Sequence, residues 1–188
     1  MAISAQSGMF IGLMKAWQKI KYPPQLVSPV ELWQRTRVVL ICFPDEYQHR
    51  EAAEETVRDI AQACPQKHFF VLTTRALPER WLNVELIRLR KEDLGLFSLP
   101  NAEFLNYLQD KSIDTVIDLW PSFNLTNAYI SRRCGAALRI GFGSEHASSF
   151  YNLLVVPVLS EGFLAKQYDA MTETILNLQG SEGHRGPR

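Results

Sequence analysis

The chain has 188 residues, 46% of them hydrophobic and 21% charged, enough for one domain with a real core. Its 20 basic and 20 acidic residues cancel, so no global field favours nucleic acid, and none is expected as a partner. Cys42, Cys64 and Cys134 lie far apart, with no CxxC pair and no Cys/His cluster. That spacing argues against a metal site or a disulfide framework, and for small buried thiols in a reducing compartment.

Residues 1–30 contain no acid and carry Lys15, Lys19 and Lys21. Phe10, Leu13, Met14 and Trp17 recur at helical spacing, which predicts an amphipathic helix over residues 8–21. It either docks on the domain, the commoner fate of such helices, or lies on an anionic membrane surface. No window of about 18 apolar residues occurs, so no spanning helix is expected. The first residues lack the positive charge of a signal peptide, and Lys15 breaks the apolar run. The expectation is a cytoplasmic protein, peripheral on the inner membrane face if the helix meets lipid. Pro23, Pro24 and Pro29 predict an extended linker over residues 22–30.

Residues 36–43, TRVVLICF, read as the first strand, closed by Pro44-Asp45. Residues 46–64 read as a helix with Ala53, Val57, Ile60 and Ala61 on its apolar stripe. Strands follow at 68–73 and 84–89, then a helix over 101–110 capped by Asn101. The stretch 112–142 reads as strand, loop, helix, turn and strand. Ile113, Val116, Ile117 and Leu119 have the run of a strand buried on both faces. Ser122 or Asn124 suits the cap of the next helix, with Leu125, Ala128, Tyr129 and Arg132 on one face, and Gly135 ends it. Residues 151–156 read as a last strand. Residues 162–178 read as a C-terminal helix burying Leu164, Tyr168, Met171, Ile175 and Leu178. This predicts residues 1–34 as helix and linker, 35–179 as the α/β domain and 180–188 as a disordered tail.

Strands alternating with helices predict a single doubly wound, Rossmann-like parallel sheet with helices on both faces. Ligands in such sheets sit beyond the carboxyl ends of the strands, where strand order reverses. The loops of interest are therefore 44–48, 73–77, 120–124 and 143–148. Asp45 is the candidate general base, with helix-start chemistry as the alternative for it and Glu46. Ser122, Asn124, Ser144 and His146 are candidate binding residues. Arg139, with Arg132 and Arg133, is a candidate for phosphate or acidic sugar. Asp118 is read as structural, accepting amide hydrogen bonds from the following loop, Trp120 to Asn124, that help hold it ionised; Gly135 and Gly141 are read as structural too. Ser122, His146 and Asp45 make no hydrolase triad without a GxSxG elbow. No cofactor is implied.

Residues 113–142 resemble the N-terminal lobe of the heptosyltransferases, glycosyltransferase family 9, which have the two-lobed GT-B fold. Asp114, Val116, Ile117, Asp118 and Leu119 match its strand, and Gly135, Ala136, Arg139, Ile140, Gly141 and Phe142 match its Gly-Ala and Arg-Ile-Gly-Phe positions. The resemblance implies a lipopolysaccharide or other cell-envelope glycan as the ligand class. It also implies a second, nucleotide-sugar lobe, with transfer in the cleft between lobes. This chain has one lobe's worth of residues. The family's Gly-Asp turn after the first strand, whose Asp is the proposed base, is here Pro44-Asp45, and proline removes an amide and fixes φ. The expectation is a glycan- or partner-binding module without independent transferase activity. The alternatives are a glycosyltransferase that takes its nucleotide-sugar lobe from a partner chain, and a structural α/β assembly protein.

Overall fold

The computed structural model describes residues 27–75, 84–156 and 163–180. The expected helix over 8–21 and all but the first residue of the expected tail lie outside the described residues. Six strands form one parallel sheet in the order β3-β2-β1-β4-β5-β6. They are β1 (Val38–Cys42), β2 (His68–Thr73), β3 (Val84–Arg88), β4 (Thr115–Asp118), β5 (Leu138–Phe142) and β6 (Leu153–Val155). The helices are α1 (Pro29–Arg35), α2 (Tyr47–Ala63), α3 (Ala102–Asp110), α4 (Leu125–Arg133) and α5 (Phe163–Gln179).

The sheet is buried on both faces because β1 at its centre is apolar at every position, and β4 beside it is buried throughout. Val39 and Ile41 of β1 join one core with Ala53, Val57 and Ile60 of α2 and Tyr168, Met171 and Ile175 of α5. Leu40 and Cys42 of the same strand join the other core, under Phe104 and Leu108 of α3 and Ile130 of α4. Period-two alternation therefore feeds two cores from one strand, as a doubly wound sheet requires. Asn101 caps α3 as expected, its side chain accepting from the Phe104 amide at 2.9 Å.

Two expectations are corrected at the edges of the domain. The linker over 22–30 does not extend through Pro29, which opens α1 as its first residue; a proline there loses no helical hydrogen bond. Trp33 of α1 is fully buried, and its Nε1 donates to Gln179 Oε1 at 3.2 Å. Lys67 is also buried, with Nζ donating to the Trp33 and Thr36 carbonyls at 2.8 Å each. It therefore satisfies carbonyls at the end of α1, where a cation is favoured. The packed unit thus reaches back to Pro29. The last strand is shorter than 151–156: Tyr151 and Asn152 precede it, and Tyr151 turns inward.

Candidate functional site

Strand order reverses between β1 and β4, so the crevice at their carboxyl ends is bounded by residues 43–46 and 119–124. The β1 side begins with Phe43, whose amide donates to the Leu72 carbonyl of β2. Asp45 is half-buried, not fully exposed, and its Oδ1 accepts from the Thr74 amide at 3.4 Å. Glu46 is exposed and tied locally, with Oε2 3.0 Å from Gln48 Nε2 and 3.3 Å from His49 Nε2. Tyr47 opens α2 at 86% exposure.

On the β4 side the chain turns away through Trp120. The Leu119 amide donates to the Cys42 carbonyl, and the Trp120 indole Nε1 donates to the Phe43 carbonyl at 3.1 Å. The two loops are thereby stitched together across the switch point. Asn124 proves to be the cap of α4, accepting from the Asn127 amide at 3.1 Å, while Ser122 is exposed in the turn before it. The buried side of α4 is Asn127, Ala128, Ile130 and Ser131. It is not the expected face of Leu125, Ala128, Tyr129 and Arg132, because Asn127 is drawn inward by Asp118.

Asp118 ends β4, beside Cys42 in the register with β1, and is 3% exposed. Its Oδ1 accepts from the Trp120 amide at 3.1 Å and from Asn127 Nδ2 at 3.0 Å. Its Oδ2 accepts from the Tyr151 hydroxyl. The structural role expected of Asp118 fits this geometry, but the expectation that hydrogen bonding holds it ionised does not. Burial outweighs the donors and pushes its carboxyl up to about 7. Burial and then Asp118 raise the Tyr151 phenol and the Cys42 thiol as well. Asp114, the other acid of this strand region, accepts from the Arg37 and Val38 amides at 2.8 and 2.9 Å, which fixes the start of β1.

The remaining candidates divide by position. Ser144 is exposed and His146 half-buried in the loop after β5, and His146 meets Phe123 edge to face at 5.5 Å. This brings the 143–148 loop beside the 120–124 loop. Arg139 lies near the opposite, amino end of β5. Its Nε donates to the Phe150 carbonyl at 2.9 Å and its Nη1 to the Ala136 carbonyl at 2.7 Å. Burial holds its guanidinium down to about 10. It clamps backbone and is not brought to the carboxyl edge. Arg132 likewise donates to the Ser149 carbonyl at 2.7 Å. Gly135 has φ +90°, the left-handed conformation that glycine adopts freely, so it ends α4 as predicted. The Trp120 amide lies in the loop expected to donate to Asp118, whereas Asn127 and Tyr151 are not singled out by the sequence, since their roles depend on packing that only the fold provides.

No family model matches the sequence, and no curated protein matches it. Among solved structures the chain is similar to the glycosyl transferase family 9 protein from Veillonella parvula DSM 2008. The TM-score is 0.52 at 18% identity, over 77% of this chain and 41% of that one. The fold is glycosyltransferase-like. The relation to glycosyltransferase family 9 expected from residues 113–142 is thus a relation of fold, and this chain spans about two fifths of that protein's length. Among the described residues no helix is long and apolar enough to cross a membrane.

Proposed function

We propose that this glycosyltransferase-like chain binds a cell-envelope glycan at the carboxyl edge of its sheet and does not transfer sugar by itself. The observation that carries this reading is the state of the carboxylates at the switch point. Asp118 is enclosed by three donors, Glu46 is held by Gln48 and His49, and Asp45 takes the Thr74 amide. Each of these carboxylates already accepts a hydrogen bond, that of Asp45 being the longest, while Ser122 stands exposed in the turn after β4 and Ser144 in the neighbouring loop. Hydroxyls and planar polar groups at a fixed edge suit sugar hydroxyls. The test is a titration of the full chain with a deacylated lipopolysaccharide core oligosaccharide, and separately with ADP- and UDP-sugars, by calorimetry and NMR. Saturable oligosaccharide binding with shifts in the 120–124 and 143–148 loops is expected. Binding of nucleotide-sugar at micromolar affinity, or no oligosaccharide binding, overturns the reading.

The length of the Asp45 contact, 3.4 Å, favours a second reading. A weakly held carboxylate at the end of β1 is placed to accept a proton from an acceptor hydroxyl, if a partner chain supplies the nucleotide-sugar lobe. Transfer by a mixture of the two chains, lost in Asp45→Asn, is the result that establishes it. For residues 8–21 the proposal is docking on the domain, with the inner membrane face as the alternative. Salt-sensitive flotation with anionic vesicles, abolished by Trp17→Ala, decides for the membrane.

A further inference from the structure

Trp120 occupies an unusual position for a large aromatic side chain. It opens the loop after β4 at the switch point, tied to the segment after β1, and is only half-buried. Both of its hydrogen-bond donors are already used. The backbone amide donates to Asp118 Oδ1 at 3.1 Å and the indole Nε1 to the Phe43 carbonyl at 3.1 Å. The first bond anchors the residue to a buried carboxylate, and the second fixes the direction of the ring. The side chain is therefore preorganised, and what it has left to offer a ligand is an apolar face. The exposed Ser122 stands two residues on in the same turn. An apolar aromatic face beside a hydroxyl-bearing turn matches a pyranose ring, which has one face of C–H groups and a rim of hydroxyls.

We infer that Trp120 is the stacking platform for a sugar ring of the bound glycan. This rests on the glycan-binding reading above and adds the residue that places the sugar. Trp120 is a binding and positioning residue. The ring lies against the indole and directs its hydroxyls toward the Ser122 turn. Because the indole N–H is committed to Phe43, the interaction depends on the aromatic face and not on a donated hydrogen bond.

The experiment uses the full chain with the deacylated core oligosaccharide as probe and UDP in a parallel arm. NMR follows the Trp120 indole N–H, and calorimetry compares wild type with Trp120→Phe and Trp120→Leu. The expected result is a shifted Trp120 indole signal with intermolecular NOEs from the ring to sugar C–H protons. Trp120→Leu should weaken binding about tenfold, and Trp120→Phe, which keeps a face and loses the N–H, should bind within a few-fold of wild type. Circular dichroism checks that Trp120→Leu is folded; the wild-type NOEs decide the matter if it is not. Wild-type binding without those NOEs, or unchanged in a folded Trp120→Leu, overturns the role of Trp120 and leaves the glycan reading standing. A wild type that does not bind the oligosaccharide overturns the glycan reading itself. A Trp120 signal that moves with UDP and not with oligosaccharide assigns the face to a base and overturns the inference.

Discussion

The Tyr151 hydroxyl donates to Asp118 Oδ2, joining the entry of β6 to the end of β4 across 33 positions of sequence. The contact is possible because Gly141 of β5 has no side chain. A Cβ built there meets the Tyr151 ring at 2.9 Å. The three residues come from successive segments of the sheet, and each constrains the others. Asn127 and the Trp120 amide complete the shell around the carboxylate. One buried group thereby anchors the loop after β4, the first turn of α4 and the segment leading into β6.

Gly141→Ala is expected to destabilise the fold by about 1–3 kcal/mol, the usual range for overpacking a filled core. The clash is with a ring that its hydrogen bond holds in place. In a Tyr151→Ala background the same substitution should cost much less. Urea midpoints of the four variants in this cycle provide the check, and additive effects would count against the close approach.

Asp118→Ala leaves the Trp120 backbone amide, the Asn127 Nδ2 group and the Tyr151 hydroxyl without their acceptor. Each orphaned buried donor costs about 1–3 kcal/mol, so a large loss of stability is expected at mildly acidic pH, where the native carboxyl carries no charge. Asp45 is half-buried with a single 3.4 Å contact, and Asp45→Ala should change stability by no more than about 0.5 kcal/mol. Equal denaturation midpoints for the two variants would remove the structural role assigned to Asp118.

The pH dependence follows from the same group. The folded carboxyl is raised from its ordinary 3.8 to about 7, so between those values the native state holds a proton that the unfolded chain has released. Stability therefore falls as pH rises through that window and levels off above it, by an amount on the order of a few kcal/mol. Cys42 and Tyr151, which face Asp118, are pushed upward and stay neutral throughout. Asp118→Asn should flatten this part of the curve. Thermal melts from pH 4 to pH 8 on both proteins measure it, and parallel curves would refute the assignment.

The three cysteines are all buried and free. Burial raises all three thiols, that of Cys134 to about 11. Little thiolate exists at neutral pH, and the thiolate is the reacting species. Ellman's reagent should therefore react slowly with the native chain and give three equivalents once it is denatured. A fast native equivalent would reveal an accessible, activated thiol.

Much of the architecture was legible because its causes are local. The unbroken apolar run VVLIC calls for a strand covered on both faces, and the stripe through Ala53, Val57 and Ile60 calls for a helix against it. Asn101 and Gly135 mark helix ends by chemistry that acts within a few residues. The alternation of such elements was enough for a parallel, doubly wound sheet. Where local signals competed, the reading was less exact. Prolines suggest an extended chain, yet Pro29 begins α1 because Trp33 and Lys67 bind that helix to the core.

The site was decided elsewhere. Asp118 shows in the sequence as an acid within an apolar strand, which implies amide donors from the loop after it and leaves its side-chain partners unnamed. The Trp120 amide reaches it locally, two residues along the chain, but the Asn127 side chain reaches it only once α4 packs on the sheet, and the Tyr151 hydroxyl only once β4, β5 and β6 lie side by side. Arg139 illustrates the reverse: its charge suggested a ligand, but the fold turns its guanidinium onto the Phe150 and Ala136 carbonyls. Patterning sets which residues are buried, since that depends on the period of apolar side chains along one element. Which polar groups meet depends on strand order and register, and the register is a property of the assembled sheet.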